Sequence, residues 1–358
     1  MPALDLSATS IELTRTICDI PSVSGDETTL ADLIHEAVSA LPHLHVDRDG
    51  DTIVARTQLG RAQRVAIAGH IDTVPINANL PTRFIDQDGE PYLWGRGTVD
   101  MKGGVAVQLK LAGELTDPRV DITWMWYDHE EVDADLNGLT RLAANRPDLF
   151  AADFAILGEP SNGAVEGGCN GNLRAIVRTH GVRAHSARAW VGENAIHAAA
   201  PILMRLSEYR PRDLAVEGLV YREGLNAVRV SGGIAGNVIP DLCEVEVNYR
   251  FAPSRSAEEA AEHVRSVFAG FEVEVVDIAA GARPGLDAPL AQEFLAAVGA
   301  EARPKYGWTD VARFSAMGVP AVNYGPGDPS LAHHDQERVP LAQIEDVERG
   351  LRAWLTAP

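Results

Sequence analysis

The feature that most constrains this chain is a recurrence: short apolar segments, each running out into a turn that carries a histidine or a carboxylate. RVAIAGHIDTVP, residues 64–75, ends on His70, with Asp72 two positions further on. LWGRGTVDMKGG, residues 93–104, brackets Asp100 with glycines just ahead of a helical pattern. DITWMWYDHEEV, residues 121–132, closes on Asp128, Glu130 and Glu131, and FAILGEPS, residues 154–161, closes on Glu159. PSLAHHDQERV, residues 329–339, places His333 and His334 after a Gly/Pro-rich loop.

The segments between these turns alternate in type. Apolar residues at helical spacing predict helices over 7–20, 28–41 and 102–115, whereas 51–56, 64–68, 122–127 and 154–157 read as strands. Such alternation predicts an α/β fold with a sheet covered by helices. From about residue 173 the texture changes to a βαββαβ order: strands at 173–179, 226–234, 243–250 and 271–278, with helices at 194–206 and 257–268. The first texture resumes near 284, with a helix at 290–298, a strand at 321–324 and a final helix at 341–355. The chain therefore reads as one α/β domain, 1–172 and 284–358, interrupted by a smaller α+β insertion, 173–283.

Composition narrows the function. A formal net charge of −20 argues against nucleic acid and anionic membrane as partners and favours small molecules. Three cysteines without metal-type spacing argue against a disulfide framework and suit a reducing cytoplasm. The first twenty residues lack a basic stretch followed by an apolar core, so no signal peptide is expected, and no apolar run reaches the ~20 residues of a membrane span.

Each turn has a plain structural reading when taken alone. His70 can end a strand beside a solvated Asp72, Asp100 can cap a helix, and acids after a strand can form a solvated loop. Together they point elsewhere, because the carboxyl edge of a sheet is where α/β proteins bind ligands. Mixed imidazole and carboxylate donors suit zinc or cobalt better than calcium or magnesium. Five such donors exceed what one open catalytic zinc requires, which points to two metals sharing a carboxylate.

On these residues the chain resembles the di-zinc deacylases and exopeptidases, the group containing succinyl-diaminopimelate desuccinylase, acetylornithine deacetylase, aminoacylase and glutamate carboxypeptidase. The resemblance runs in order and spacing over nearly the whole chain. It implies a zinc-exopeptidase-like three-layer catalytic domain with an inserted ferredoxin-like lid that also dimerises the protein. It implies His70, Asp100, Glu131, Glu159 and His333 as ligands of two zinc ions, with cobalt as a substitute; His334 competes with His333, which stands four residues before Glu337. Asp72 would orient His70, and Glu130 would act as general base. In GVRAHSARAWVGENAIHAA, residues 181–199, His185 would reach a partner subunit's site and donate to the oxyanion. Asn237 in GNVIP, Arg250 in NYR and Thr309 in GWTD would contact substrate. GEPS, GNVIP and the length lean towards the succinyl-diaminopimelate branch of lysine and cell-wall biosynthesis. GGCNGN, residues 167–172, departs from it, because some desuccinylases carry an arginine pair just before the lid; Arg174 stands nearby. The alternatives are an acetylornithine deacetylase or broader acyl-amino-acid hydrolase, and a scaffold that keeps the fold without the chemistry.

Overall fold

The computed structural model describes residues 3–357. By compactness the chain divides into two units: one formed by the chain up to Gly167, Pro284–Arg303 and Thr309 onward, the other by Gly168–Arg283 and Pro304–Trp308.

The first unit is built on an eight-stranded sheet among the described residues, in the order His45–Asp49, Thr52–Arg56, Asp121–Tyr127, Arg64–His70, Phe154–Leu157, Ala321–Asn323, Val165–Gly167 and Ala302–Pro304. Its middle is parallel: Arg64–His70 lies between Asp121–Tyr127 and Phe154–Leu157, and Phe154–Leu157 also pairs in parallel with Ala321–Asn323. Asp121–Tyr127 is buried at every position and Arg64–His70 at all but its first, as expected of strands covered on both faces. Parallel pairing brings the C-terminal ends of these strands to one edge, and that edge receives His70, the Glu130–Glu131 turn and Glu159.

The helix Lys102–Glu114, buried continuously from Lys102 to Ala112, approaches that edge closely. A Cβ on Gly104 would stand 2.2 Å from the Gly158 carbonyl oxygen, so the second glycine of DMKGG lets the helix lie against the turn that carries Glu159. The Lys102 ammonium, also buried, donates to the carbonyls of Ile17 and Ile20 at 3.2 and 3.0 Å, tying the start of the helix that follows Asp100 to the C-terminal end of the helix Ser10–Cys18.

The second unit carries an antiparallel sheet in the order Gly224–Gly232, Leu242–Phe251, Gly171–His180, Glu272–Ala279. Numbered along this unit the strands lie 4-1-3-2 across the sheet, the ferredoxin-like arrangement of a βαββαβ chain. Leu173, Ala175 and Val177 alternate inward and join Val245, Val247, Tyr249 and Phe251 in a core closed by Ala199, Ile202, Ala260, Val264 and Phe268 from the helices.

Among the local features that depart from the sequence expectation are two in the second unit. The helix expected over 194–206 is broken into Ala195–Ala198 and Ala200–Glu208, because Pro201 has no N–H to continue the ladder. A hairpin, Asp213–Val216 with Leu219–Arg222, stands between that helix pair and the next strand. It turns on Glu217 and Gly218, both at positive φ.

Candidate metal centre

The site assembles from backbone positions before any side chain acts. His70 ends its strand at 1% exposure, with its Nδ1–H directed at the Asp72 backbone carbonyl at 3.1 Å and 3.4 Å from the Asp72 carboxylate. This leaves Nε2 facing Asp100 Oδ1 at 3.1 Å. The other oxygen, Asp100 Oδ2, lies 3.3 Å from His333 Nε2, which also stands 3.0 Å from the Glu131 carboxylate. Asp100 thus sits between two imidazoles, one oxygen to each. The Nδ1 of His334 accepts the Gln336 N–H at 3.0 Å.

Asp72, fully buried, organises the opposite side. Its Oδ1 accepts from the Glu130 N–H at 3.1 Å, and its Oδ2 accepts from the Glu131 N–H at 3.1 Å and the Ser24 hydroxyl at 2.7 Å. The residue before, His129, is held at positive φ and donates its N–H to the buried Glu27 at 3.2 Å. Three successive amides of the turn are therefore held by two carboxylates, which fixes where Glu130 and Glu131 project.

The electrostatics follow from crowding acids with little water. Burial alone would lower the basicity of His70, but hydrogen bonds to Asp100 and Asp72 outweigh it and hold its pKa well above the usual range. Hydrogen bonds to Asp100 and Glu131 push His333 up to about 10. Burial works to raise the Asp100 pKa, yet the two imidazoles facing it hold the carboxyl far below its ordinary value. Glu130 goes the other way. Burial raises it first, His70 opposes, and the charges of Asp310, Glu159 and Glu131 add to the rise.

Ligand atoms of His70, Asp100 and Glu131 all lie within 4.8 Å of one another, close enough to share a cation. The donor chemistry fits zinc: the second ring nitrogen of His70 is anchored on the Asp72 carbonyl, and the backbone amides of Asp100 and Glu131 are held by the carboxylates of Glu337 and Asp72.

Glu159 follows its strand at 5% exposure, and its charge is felt by Glu130 and by Tyr127. Thr309 is buried with its hydroxyl donating to Asn323 Oδ1 at 2.9 Å. Within the second unit, the pairing of Ala184–His185 with Val238–Ile239 brings His185 beside Asn237, whose carbonyl accepts the Ser186 N–H at 2.9 Å. The Ala187 N–H donates to His185 Nδ1 at 3.0 Å, leaving the exposed Nε2 as the N–H donor. Arg250 lies opposite Asn172 on the neighbouring strand, half-buried, and no acid among the described residues pairs with its guanidinium.

Several contributors escaped the sequence reading. Asp310, next to the chosen Thr309, is fully buried, accepts from Asn137 Nδ2 at 3.1 Å, is bonded by Arg313, and raises the Glu130 pKa. Ser24, Glu27 and the Arg96–Glu337 pair also support the site, and only the spacing of Glu337 from His333 had given it any prominence.

A sheet edge furnished with this donor set defines a metal-dependent hydrolase, and the comparisons agree. Residues 66–357 match the model of peptidase family M20/M25/M40. A Corynebacterium glutamicum succinyl-diaminopimelate desuccinylase is 48% identical over 366 residues, covering 99% of this chain and 98% of its own. A Mycobacterium tuberculosis protein provisionally given the same designation is 50% identical over 355 residues, covering 98% and 99%. A solved Bacillus subtilis structure, described as a dinuclear metal binding peptidase of family M20, superposes with a TM-score of 0.70 at 17% identity, covering 97% of this chain and 96% of that one. The chain belongs to peptidase family M20/M25/M40 and is a hydrolase of amide bonds.

Proposed function

We propose that this chain is a di-zinc amidohydrolase that removes the succinyl group from N-succinyl-LL-2,6-diaminopimelate. The observation that carries the reading is near-half identity, end to end, with the corynebacterial desuccinylase, joined to a site where Asp100 stands between His70 and His333. His70, Asp100 and Glu159 would hold one metal and Asp100, Glu131 and His333 the other, with cobalt able to replace zinc. Bound divalent metals of this kind lower the pKa of water and polarise an acyl carbonyl.

The chain's own groups supply the rest. Glu130, made unusually basic by burial and by neighbouring acids, accepts the proton of the attacking water and returns it to the departing amine. Asp72 keeps that carboxylate in place through the amides of residues 130 and 131. His185, with Nε2–H outward, donates to the oxyanion of a partner subunit's substrate. Arg250, with no acid partner among the described residues, takes a substrate carboxylate, with Asn237 and Thr309 as further contacts.

The partner is a second copy of this chain. The strand Gly224–Gly232 ends its sheet, with no second strand neighbour among the described residues and with Val228 and Val230 exposed, and Leu203 and Met204 add apolar surface on the helix Ala200–Glu208. The cytoplasm is the setting: the described cysteines are buried, and no helix among the described residues is long and apolar enough to cross a membrane.

The test is a substrate panel of succinyl-diaminopimelate, acetylornithine, acetylmethionine and a dipeptide, assayed with zinc, after chelation and after zinc is returned. The reading predicts succinate release at least ~100-fold more efficient than any other hydrolysis, lost on chelation and restored by zinc. Preference for acetylornithine would reassign the substrate, and inertness at full zinc occupancy would leave a scaffold.

A further inference from the structure

Arg96 and Glu337 form an ion pair at 2.7 Å, with Arg96 3% exposed and Glu337 fully buried. A buried pair of charges is a poor source of stability compared with packed apolar side chains, so its contacts must account for it. Glu337 Oε1 accepts the N–H groups of Val99 and Asp100 at 2.9 and 3.1 Å, while Oε2 accepts from Arg96. The other arm of Arg96 donates to the His333 carbonyl at 3.4 Å. His333 has φ of 64°, a left-handed conformation that a residue with a Cβ holds only when its surroundings impose it. The Gly95 N–H donates to the Glu337 carbonyl at 3.0 Å, and the pairing of Arg338–Pro340 with Tyr92–Trp94 continues the seam. His70 has separate anchors: its own strand and the Asp72 carbonyl.

We propose that Arg96 and Glu337 are positioning residues that fasten the His333 turn to the Asp100 turn, and so create the metal position of Asp100, Glu131 and His333 while leaving the His70 side largely independent. The inference rests on the two-metal reading given above. It makes the two metal positions unequal: one is fixed by a sheet strand, the other by a clamp between two loops.

The test is a zinc titration of metal-stripped protein by calorimetry, with bound metal counted by mass spectrometry after gel filtration. The variant Arg96→Met/Glu337→Gln removes both charges together, so no lone charge is buried, and leaves an amide oxygen for the Val99 and Asp100 N–H groups. Arg96→Lys keeps the charge but loses the two-armed geometry, and it carries the test if the double variant fails to fold. Wild type should bind two zinc ions. In the variants one site should weaken about 10–100-fold, so that one zinc survives gel filtration, while the other stays within about threefold of wild type. Two sites at wild-type affinity, or two sites weakened alike, would overturn the clamp. Fewer than two zinc ions on wild type would overturn the two-metal reading instead.

Discussion

Replacing Asp72 by Asn probes the account at a residue that holds the catalytic turn without being a proposed ligand. Both Asp72 oxygens serve as acceptors: one for the Glu130 N–H, the other for the Glu131 N–H and the Ser24 hydroxyl. Asparagine has one acceptor oxygen. If that oxygen keeps Glu131 and Ser24, its NH2 group faces the Glu130 N–H, donor against donor. An unsatisfied buried donor costs about 1–3 kcal/mol, and the turn loses that much where Glu130 begins. At 1.36 kcal/mol per decade this is a fall in kcat of about 5- to 160-fold. KM should stay within about threefold. Bound metal should stay at two per chain, because the His70 Nδ1–H still has the residue-72 carbonyl. Succinate release and metal counting read both quantities. A loss below about fivefold, or a loss of metal with normal turnover per metal, would refute the reasoning. Stability carries a signature too. Burial works to raise the Asp72 pKa, but its bonds to His70, Ser24 and Glu131 hold it below the ordinary value. Its stabilising contribution is therefore present above the unfolded carboxylate pKa and is lost as pH falls through the folded one. The gap in melting temperature between wild type and variant should close on acidification in metal-free protein; a constant gap would contradict this.

Glu130→Gln should bind two zinc ions normally and lose about 10²–10⁴ in kcat, and retained turnover would reject Glu130 as the base. Zinc affinity at each position should fall as pH drops, by about one decade per pH unit near neutrality, because each metal must displace the proton of its own histidine, His70 or His333. A flat calorimetric profile between pH 6 and 8 would contradict that. Mixing inactive His185→Ala with inactive Glu130→Gln should restore about a quarter of wild-type activity, since one site of each mixed dimer is complete. No recovery after confirmed subunit exchange would show that His185 does not cross. Val230→Asp on the exposed edge should yield monomers by light scattering, and an unchanged dimer would move the interface elsewhere.

Much of this was legible because apolar runs and helix signals are local. The strands ending at His70, Tyr127 and Leu157 are short apolar runs, and the capping boxes Thr9–Glu12 and Ser256–Glu259 mark helix starts by their own residues. Hairpins are less legible than single strands: Asp88–Gly89 joins Arg83–Gln87 to Glu90–Trp94, and Glu217–Gly218 joins the pair in the second unit. What could not be read is the support behind the candidate metal ligands. Arg96 and Glu337 are 241 positions apart, and each has the composition of a surface loop until the fold buries it. Asp310 was hidden for the same reason, since burial beside Asn137 rather than its type makes it act on Glu130. The choice of His333 over His334 depended on family spacing. A left-handed backbone at His333 aims its ring at Glu131, and no property of a His-His dipeptide announces that.

The central claim is that two metals share Asp100, and anomalous scattering at the zinc edge from crystals grown with zinc tests it most directly. The account predicts two peaks, one beside each Asp100 oxygen at about 2.0–2.2 Å, the first within reach of His70 and the second of His333. A single peak, or a pair that leaves Asp100 unbridged, would contradict it.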